Sequence, residues 1–374
     1  MEILPFEYMQ FAKTAPAGAR IALTGSGLGP PPIEWLGDAR ELVDLRDSGA
    51  HGTLFLREKI AARCGVRPEE VLVVPGASAA IHLVAAVLAA DSAGDAATRA
   101  VVERPAYPPL HLEPQAFGSV IRFVDRRLED AFGLDPQRVA SALSALGGAS
   151  AVWTTNLHNP TGIALTADAM EELAETAARA GSRFVCCEIY NEFLGAQRIP
   201  YAAALHPKAV TLSSVTKAFG LGAIRVGWIV TRDRAFLARC EQAFDHIDVN
   251  CAMPSLRIAA ALFDRIERFE QNARQTATAG REAFLEWALK ESTKGRVEFA
   301  PPGGAVMAFP KLRDVRDTLT FARRVRANHG VQVTPGEYFS APGYLRIGFG
   351  IDPAKVQEGL AAVSAELDAI RAEC

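Results

Sequence analysis

From Val71 to Thr231 the chain alternates short apolar, β-branched runs with longer alanine-rich stretches. The spacing predicts strands over Val71–Val74, Ala100–Glu103, Ser119–Phe123, Ala151–Thr154, Arg183–Cys187, Ala209–Ser213 and Val226–Thr231. Helices are expected over Ala79–Ala89, Pro136–Leu146, Ala167–Ala180 and Arg234–Phe244. Such alternation is the signature of an α/β layer built on a mostly parallel sheet. Several of these runs are apolar throughout, as strands covered on both faces must be.

After Pro254 the rhythm changes. Long helical patterns over Ser255–Phe269 and Arg274–Lys290 lead into short strands at Val297–Phe299, Val306–Phe309, Val331–Thr334 and Tyr344–Phe349. A helix is expected near Leu319–Asn328 and a last one from Pro353. This reads as a smaller α+β domain, and the N-terminal segment, which lacks the βα rhythm, is expected to pack with it. With 374 residues there is chain enough for two domains, placed here at 46–275 and at 1–45 plus 276–374.

Composition narrows the class. Hydrophobic residues make up 49% and charged residues 22%, with a net charge of -3 and both signs interspersed, as in a soluble globular enzyme. No basic stripe points to nucleic acid. The stretch between Glu70 and Asp91 has no charged residue, but Pro75-Gly76 and His82 interrupt it, so a buried strand, turn and helix are expected rather than a membrane span. Met1 to Lys13 carries Glu2 and Glu7 and lacks a signal-peptide core. Cys64, Cys186, Cys187, Cys240, Cys251 and Cys374 form no CxxC pair, which fits a reduced, cytoplasmic setting.

The chemistry gathers around Lys217. It sits in an acid-free, glycine-rich run from Ser213 to Trp228, with Ser214 three residues before it and Arg225 eight after. Burial disfavours an ammonium, and a neutral amine can attack an aldehyde and hold it as an imine. Ser214 and Arg225 offer a hydroxyl and a fork of donors to one phosphate. An aldehyde that carries a phosphate describes pyridoxal 5'-phosphate; a surface lysine beside a turn is the plain alternative. The turn Gly76-Ala77-Ser78 between a strand and a helix start supplies amides for an anion. Asn159, in His158-Asn159-Pro160-Thr161-Gly162, follows a parallel strand, where ligands bind in open α/β sheets. Tyr107, between two prolines, can lay its ring on a flat heterocycle, and Tyr190 can place a phenol beside it; both also read as structural tyrosines. Arg346 lies inside an apolar strand and needs an anionic partner, either a substrate carboxylate or a structural salt bridge.

In this order the motifs resemble the class I/II aminotransferases, pyridoxal-phosphate enzymes of fold type I, from about Gly52 to Gly350. The resemblance implies a large domain with a mostly parallel seven-stranded sheet, a small domain from both termini, and a homodimer. It implies that Lys217 is the Schiff-base lysine and proton shuttle. Ser214, Arg225 and the amides of Gly76, Ala77 and Ser78 would hold the phosphate, and Tyr107 would stack on the ring. Asn159 and Tyr190 would bond the ring hydroxyl oxygen, and Arg346 the α-carboxylate. It implies a small-molecule amino acid and 2-oxo acid as substrates, with no metal.

Two positions depart from the family pattern. An acid that keeps the pyridine nitrogen protonated usually stands three residues before the tyrosine matching Tyr190; here that position is Cys187, followed by Glu188. On a regular strand Glu188 points to the opposite face, so it replaces that acid only through a bulge. A tyrosine expected about five residues before Gly52 is missing, with His51 as a possible substitute. The resemblance therefore implies transamination, with racemisation, elimination, cyclisation or oxidation as the alternative outcome at the same cofactor. A cofactor-binding transcriptional sensor ranks below both, since no helix-turn-helix segment is evident.

Overall fold

The computed structural model describes residues 2–43, 53–91 and 98–373. Cys374 and the segment with His51 and Gly52 lie outside the described residues. Seven strands form one sheet: β1 (Val71–Val74), β2 (Arg99–Arg104), β3 (Val120–Asp125), β4 (Ala151–Thr155), β5 (Arg183–Cys187), β6 (Val210–Ser214) and β7 (Gly227–Val230), in the spatial order β1-β7-β6-β5-β4-β2-β3. Strands β2 to β6 pair in parallel, and β7 runs antiparallel to both β1 and β6. The expected run Val226–Thr231 is therefore the strand that reverses direction.

Neighbouring residues along these strands enter different cores. Val102, Trp153, Val185 and Cys187 join one apolar cluster, while Val101, Val152, Phe184 and Cys186 join another. This is the period-two alternation of a sheet covered on both faces, which is why the strands read as continuous apolar runs. Side-chain caps start the helices between strands: Asp135 Oδ1 accepts from Gln137 N at 2.8 Å, Thr166 Oγ1 from Ala169 N at 3.2 Å, and Asp233 Oδ1 from Phe236 N at 3.0 Å. The uncharged stretch after Glu70 is strand β1 followed by the helix Ala77–Asp91. Among the described residues no helix is long and apolar enough to cross a membrane.

Two sequence expectations are corrected. The helix expected over Ser255–Phe269 is broken into Met253–Phe263 and Ile266–Thr293. Arg265 leaves the helical region at φ -130°, and Asp264 forms an ion pair with Lys59, so the chain turns where the apolar pattern runs on. The strand expected over Val331–Thr334 is two strands. Val331–Gln332 pairs in parallel with Ile21–Ala22, and Thr334–Pro335 pairs antiparallel with Leu345–Gly348, so the chain changes partners at Val333. The first pairing ties the N-terminal segment to the C-terminal region, where the sequence reading packs it. The expected division at 275/276 falls inside the continuous 28-residue helix Ile266–Thr293.

The sheet register brings the carboxyl ends of four strands side by side. Thr155 lies opposite Cys187, Cys187 opposite Leu212, and both Val74 and Ser214 opposite Gly227. The loops that leave these ends build the site.

Candidate active site

A cavity of about 480 Å³ opens over the carboxyl ends of β1, β4, β5 and β6. Lys217 lies in it, three residues beyond the end of β6. Its Nζ donates to Ser26 Oγ at 3.0 Å, and its carbonyl accepts from Leu28 N at 2.8 Å. Residues 24–28 thus cross directly over the lysine. A Cβ on Gly27 would lie 2.9 Å from Lys217 Cα, so only glycine permits this approach. Burial first, then the nearby Arg346 and Arg225 cations, lower the Lys217 amine to about 8, and Cys187 opposes the shift.

One end of the cavity is rich in anion donors. Ala77 and Ser78 open the helix Ala77–Asp91, where free amides and the helix dipole favour negative charge. Ser214 and Thr216 face them across the cavity, their hydroxyls 2.9 Å apart. Arg225 completes this end from the left-handed region at φ 53°, its Nη2 donating to Pro75 O at 3.2 Å. Gly76 does not line the cavity, but it makes room: a Cβ there would lie 2.6 Å from Arg225 Nη2.

Tyr107, Ile189 and Tyr190 give the middle of the cavity flat, apolar walls, with Asn159, Thr155 and Cys187 between them. His158 reaches Pro105 O at 2.9 Å through Nε2 and Thr161 Oγ1 at 2.7 Å through Nδ1, so the loops carrying Tyr107 and Asn159 are locked together. Burial raises both the Tyr107 and Tyr190 phenols, which stay protonated at neutral pH. Glu188 turns to the far side of the sheet, where it accepts from Thr211 Oγ1 at 2.5 Å and from Ala202 N.

Arg346 stands just behind the wall rather than in it. Its Nη1 donates to Asn159 Oδ1 at 3.2 Å and its Nη2 to Thr24 O at 2.7 Å, while its buried Nε has no partner. The rings of Tyr8 and Phe339 lie over the guanidinium at 5.3 and 5.1 Å. Neither Lys217, Arg225 nor Arg346 has a carboxylate partner among the described residues. The structure therefore gathers Ala77, Ser78, Tyr107, Asn159, Cys187, Tyr190, Ser214, Lys217 and Arg225 in one cavity, with Gly76 and Arg346 directly behind its walls.

Sequence reasoning missed the N-terminal contribution. Tyr8, Met9, Ala12 and Lys13 from the helix Glu7–Thr14 line the cavity, as do Ser26, Thr155 and Thr216. The run Thr24-Gly25-Ser26-Gly27-Leu28-Gly29 carried a usable signal, because alternating glycines mark a backbone that another backbone approaches closely. Nothing local marks Tyr8.

The sequence profile described as aminotransferase class I and II matches residues 46–363. The chain belongs to this family. Class I and II aminotransferases use pyridoxal 5'-phosphate. Capreomycidine synthase from Streptomyces vinaceus is 28% identical over 333 residues, covering 88% of this chain and 83% of that one. Among solved structures, a PLP-dependent aminotransferase from Streptococcus suis superposes with a TM-score of 0.88 at 19% identity, covering 99% of both chains. The PLP-dependent cyclase OrfR superposes with a TM-score of 0.84 at 24% identity, covering 99% of this chain and 98% of that one. These two likenesses concern the fold.

The residues present fit this aminotransferase family's cofactor. A phosphate requires several donors without a competing acid, and the end formed by Ala77, Ser78, Ser214, Thr216 and Arg225 provides them. An aldehyde requires an amine that loses its proton easily, and Lys217 is one. Gly76 lets the Arg225 guanidinium pack against the turn that carries Ala77 and Ser78, so one cation stands beside these anion donors.

Proposed function

We propose that this class I/II family member is a pyridoxal-phosphate-dependent aminotransferase that moves the amino group of an α-amino acid to a 2-oxo acid. The observation that carries the reading is Lys217: an amine lowered to about 8 by burial, held by Ser26, in a cavity with no carboxylate in its wall among the described residues. When bound, the cofactor supplies an electron sink conjugated to the substrate's Cα, which makes the proton there removable.

The chain's own residues do the rest. Gly76, Ala77, Ser78, Ser214, Thr216 and Arg225 would hold the phosphate. Tyr107 and Ile189 would keep the ring flat between them, and Asn159 and Tyr190 would bond the ring hydroxyl oxygen. Lys217 would anchor the cofactor through Nζ and then, as a free amine, take the proton at the substrate's Cα. A base of this pKa is neutral often enough near pH 7 to accept a proton and still acidic enough to return it. Arg346 would fix the substrate carboxylate through its unpartnered Nε and the Nη1 now shared with Asn159. Tyr8 and Phe339 keep the guanidinium from turning away. A cytoplasmic homodimer completes the reading.

A second outcome, cyclisation or another non-transaminating reaction of an amino acid, is favoured by one specific observation: among the described residues Cys187 stands in the cavity and no carboxylate does. The names capreomycidine synthase and cyclase OrfR among the similar proteins lean the same way. A single-turnover experiment separates the two. Purified, cofactor-loaded protein is mixed with a panel of amino acids without oxo acid, and the cofactor is then extracted. Pyridoxamine phosphate supports transamination. Unchanged pyridoxal phosphate with an altered amino acid supports the second outcome. Absence of any response, spectral or chemical, leaves a binding protein.

A further inference from the structure

We propose that Cys187 closes the ring-nitrogen end of the cavity with a neutral thiol, so that this chain holds its cofactor with the pyridine nitrogen unprotonated. The inference rests on the proposed function above and concerns the state of the ring, which that reading leaves open.

The connectivity of pyridoxal phosphate points its nitrogen at this residue. The ring nitrogen is para to the carbon that bears the aldehyde, and the phosphate arm is attached next to that carbon. With the aldehyde at Lys217 and the phosphate among Ser78, Ser214 and Arg225, the nitrogen vertex is directed away from Lys217, into the floor where β4 and β5 end. That floor is Cys187, the last residue of β5, with Thr155 opposite it in register.

No acid reaches this floor among the described residues. None of the side chains lining the cavity is an Asp or a Glu. Glu188 lies on the other face of the sheet, held by Thr211 and Ala202. Glu103 stands behind Thr155, where it accepts from Thr155 N and Oγ1, both at 2.6 Å, and from Arg126 Nη1 at 2.9 Å. The Thr155 hydroxyl donates to Glu103 and accepts from Asn159 N at 3.2 Å, so it brings no charge to the cavity. Cys187 cannot serve as a thiolate. Burial chiefly, aided by Glu188 and Glu103, pushes its thiol up to about 12 against the pull of the Ile189 amide and Lys217.

The surrounding charge acts in the same direction. Among the described residues no carboxylate side chain lines the cavity, so a pyridinium would have no counter-ion at its own edge. An unpaired buried cation carries a large desolvation cost. The consequence is a weaker electron sink than a protonated ring provides.

The test reads the nitrogen directly. Apo-protein is loaded with cofactor labelled with 15N in the ring. Borohydride reduction and peptide mass spectrometry first establish that Lys217 carries the cofactor; an unmodified Lys217 would sink the proposed function itself. On the loaded protein, the 15N chemical shift at neutral pH distinguishes pyridine from pyridinium. The expected result is the neutral position in the parent and in Cys187→Ser, and a move to the pyridinium position in Cys187→Asp. A pyridinium signal in the parent overturns the inference, and so does a Cys187→Asp signal that stays neutral. If Cys187→Asp does not load, the parent and Cys187→Ser decide the matter alone.

Discussion

Two groups of cations in this molecule are built on opposite plans, and each has a fully buried arginine, Arg126 in one and Arg346 in the other. Behind the sheet, Arg126 is paired with Glu103 at 2.9 Å, both fully buried. Elsewhere, Arg63 is clamped by Glu192 and Glu270, with Arg198 and Tyr201 on the same two acids. In and behind the cavity wall, Lys217, Arg225 and Arg346 meet hydroxyls, carbonyls and an amide oxygen but no carboxylate among the described residues. A buried cation without an anion is costly. Where the chain supplies the anion itself, the charge is balanced from within, although Arg126 still leaves its Nη2 without a partner. Where it does not, the proposed function has a ligand supply the charge: the cofactor's phosphate and a substrate carboxylate.

The contrast can be broken at either side. The largest expected effect is at the cavity's amine: Lys217→Ala should lower single-turnover deamination by at least about 10²–10⁴-fold, the usual worth of a positioned base, with little change in unfolding. Full activity in this variant would mean that another amine does the work. On the structural side, Arg126→Ala leaves Glu103 buried without its cation, held only by the Thr155 hydrogen bonds, and urea denaturation should show a loss of about 3–5 kcal/mol. Pairing it with Glu103→Gln should recover part of that loss, because the stranded charge is then gone.

Glu188 is the converse case, an acid with no cation among the described residues. Burial raises its carboxyl to about 8, with Thr211 and Ala202 opposing the shift. The unfolded chain loses this proton near 4.5, while the native chain keeps it up to about 8. Stability should therefore fall as pH rises across that window and level off above it. Glu188→Gln should remove a slope of roughly a few kcal/mol, read as melting temperature against pH. An unchanged slope would show that the acid is ionised and paired in solution.

Smaller effects sharpen the distinction. Arg346→Ala should raise the KM for amino acids by about tenfold to a hundredfold, as expected when charged hydrogen bonds worth about 1.5–3 kcal/mol are lost. Its unfolding should change far less than that of Arg126→Ala; equal destabilisation would make Arg346 a structural arginine. Smallest of all, Ser26→Ala removes one hydrogen bond to Lys217, worth about 0.5–1.5 kcal/mol. It should lower kcat by several-fold and leave cofactor loading intact, which absorbance titration would check.

Much of the architecture was legible because it is written in local patterns. Apolar runs separated by alanine-rich stretches gave the strands from Val71 to Val230 within a residue or two. The cavity residues that sequence reasoning found all lie in short motifs at strand ends: Ser78 after β1, Asn159 after β4, Tyr190 after β5 and Lys217 after β6. The breaks at Asp264-Arg265 and Val333 were hidden, since periodicity does not register a change of packing partner. Tyr8 was hidden for the same reason, whereas Ser26 sits in a glycine run that marked a close approach without saying to what. They reach the site only because Ile21–Ala22 pairs with Val331–Gln332 and carries the N-terminal segment over Lys217.

From its residues alone the chain determined an alternating α/β layer, a lysine set among anion donors, and a cysteine where its family usually has an acid. Each of these depends on neighbours within a few positions, and local sterics and alternation decide them. Only the tertiary structure decided which buried charges are satisfied. Arg126 finds Glu103 across two strands, Glu188 finds none, and Arg346 finds Asn159 and Thr24 from opposite ends of the chain. Electrostatic pairing acts through space at low dielectric, so positions far apart in the sequence settle which cations wait for a ligand.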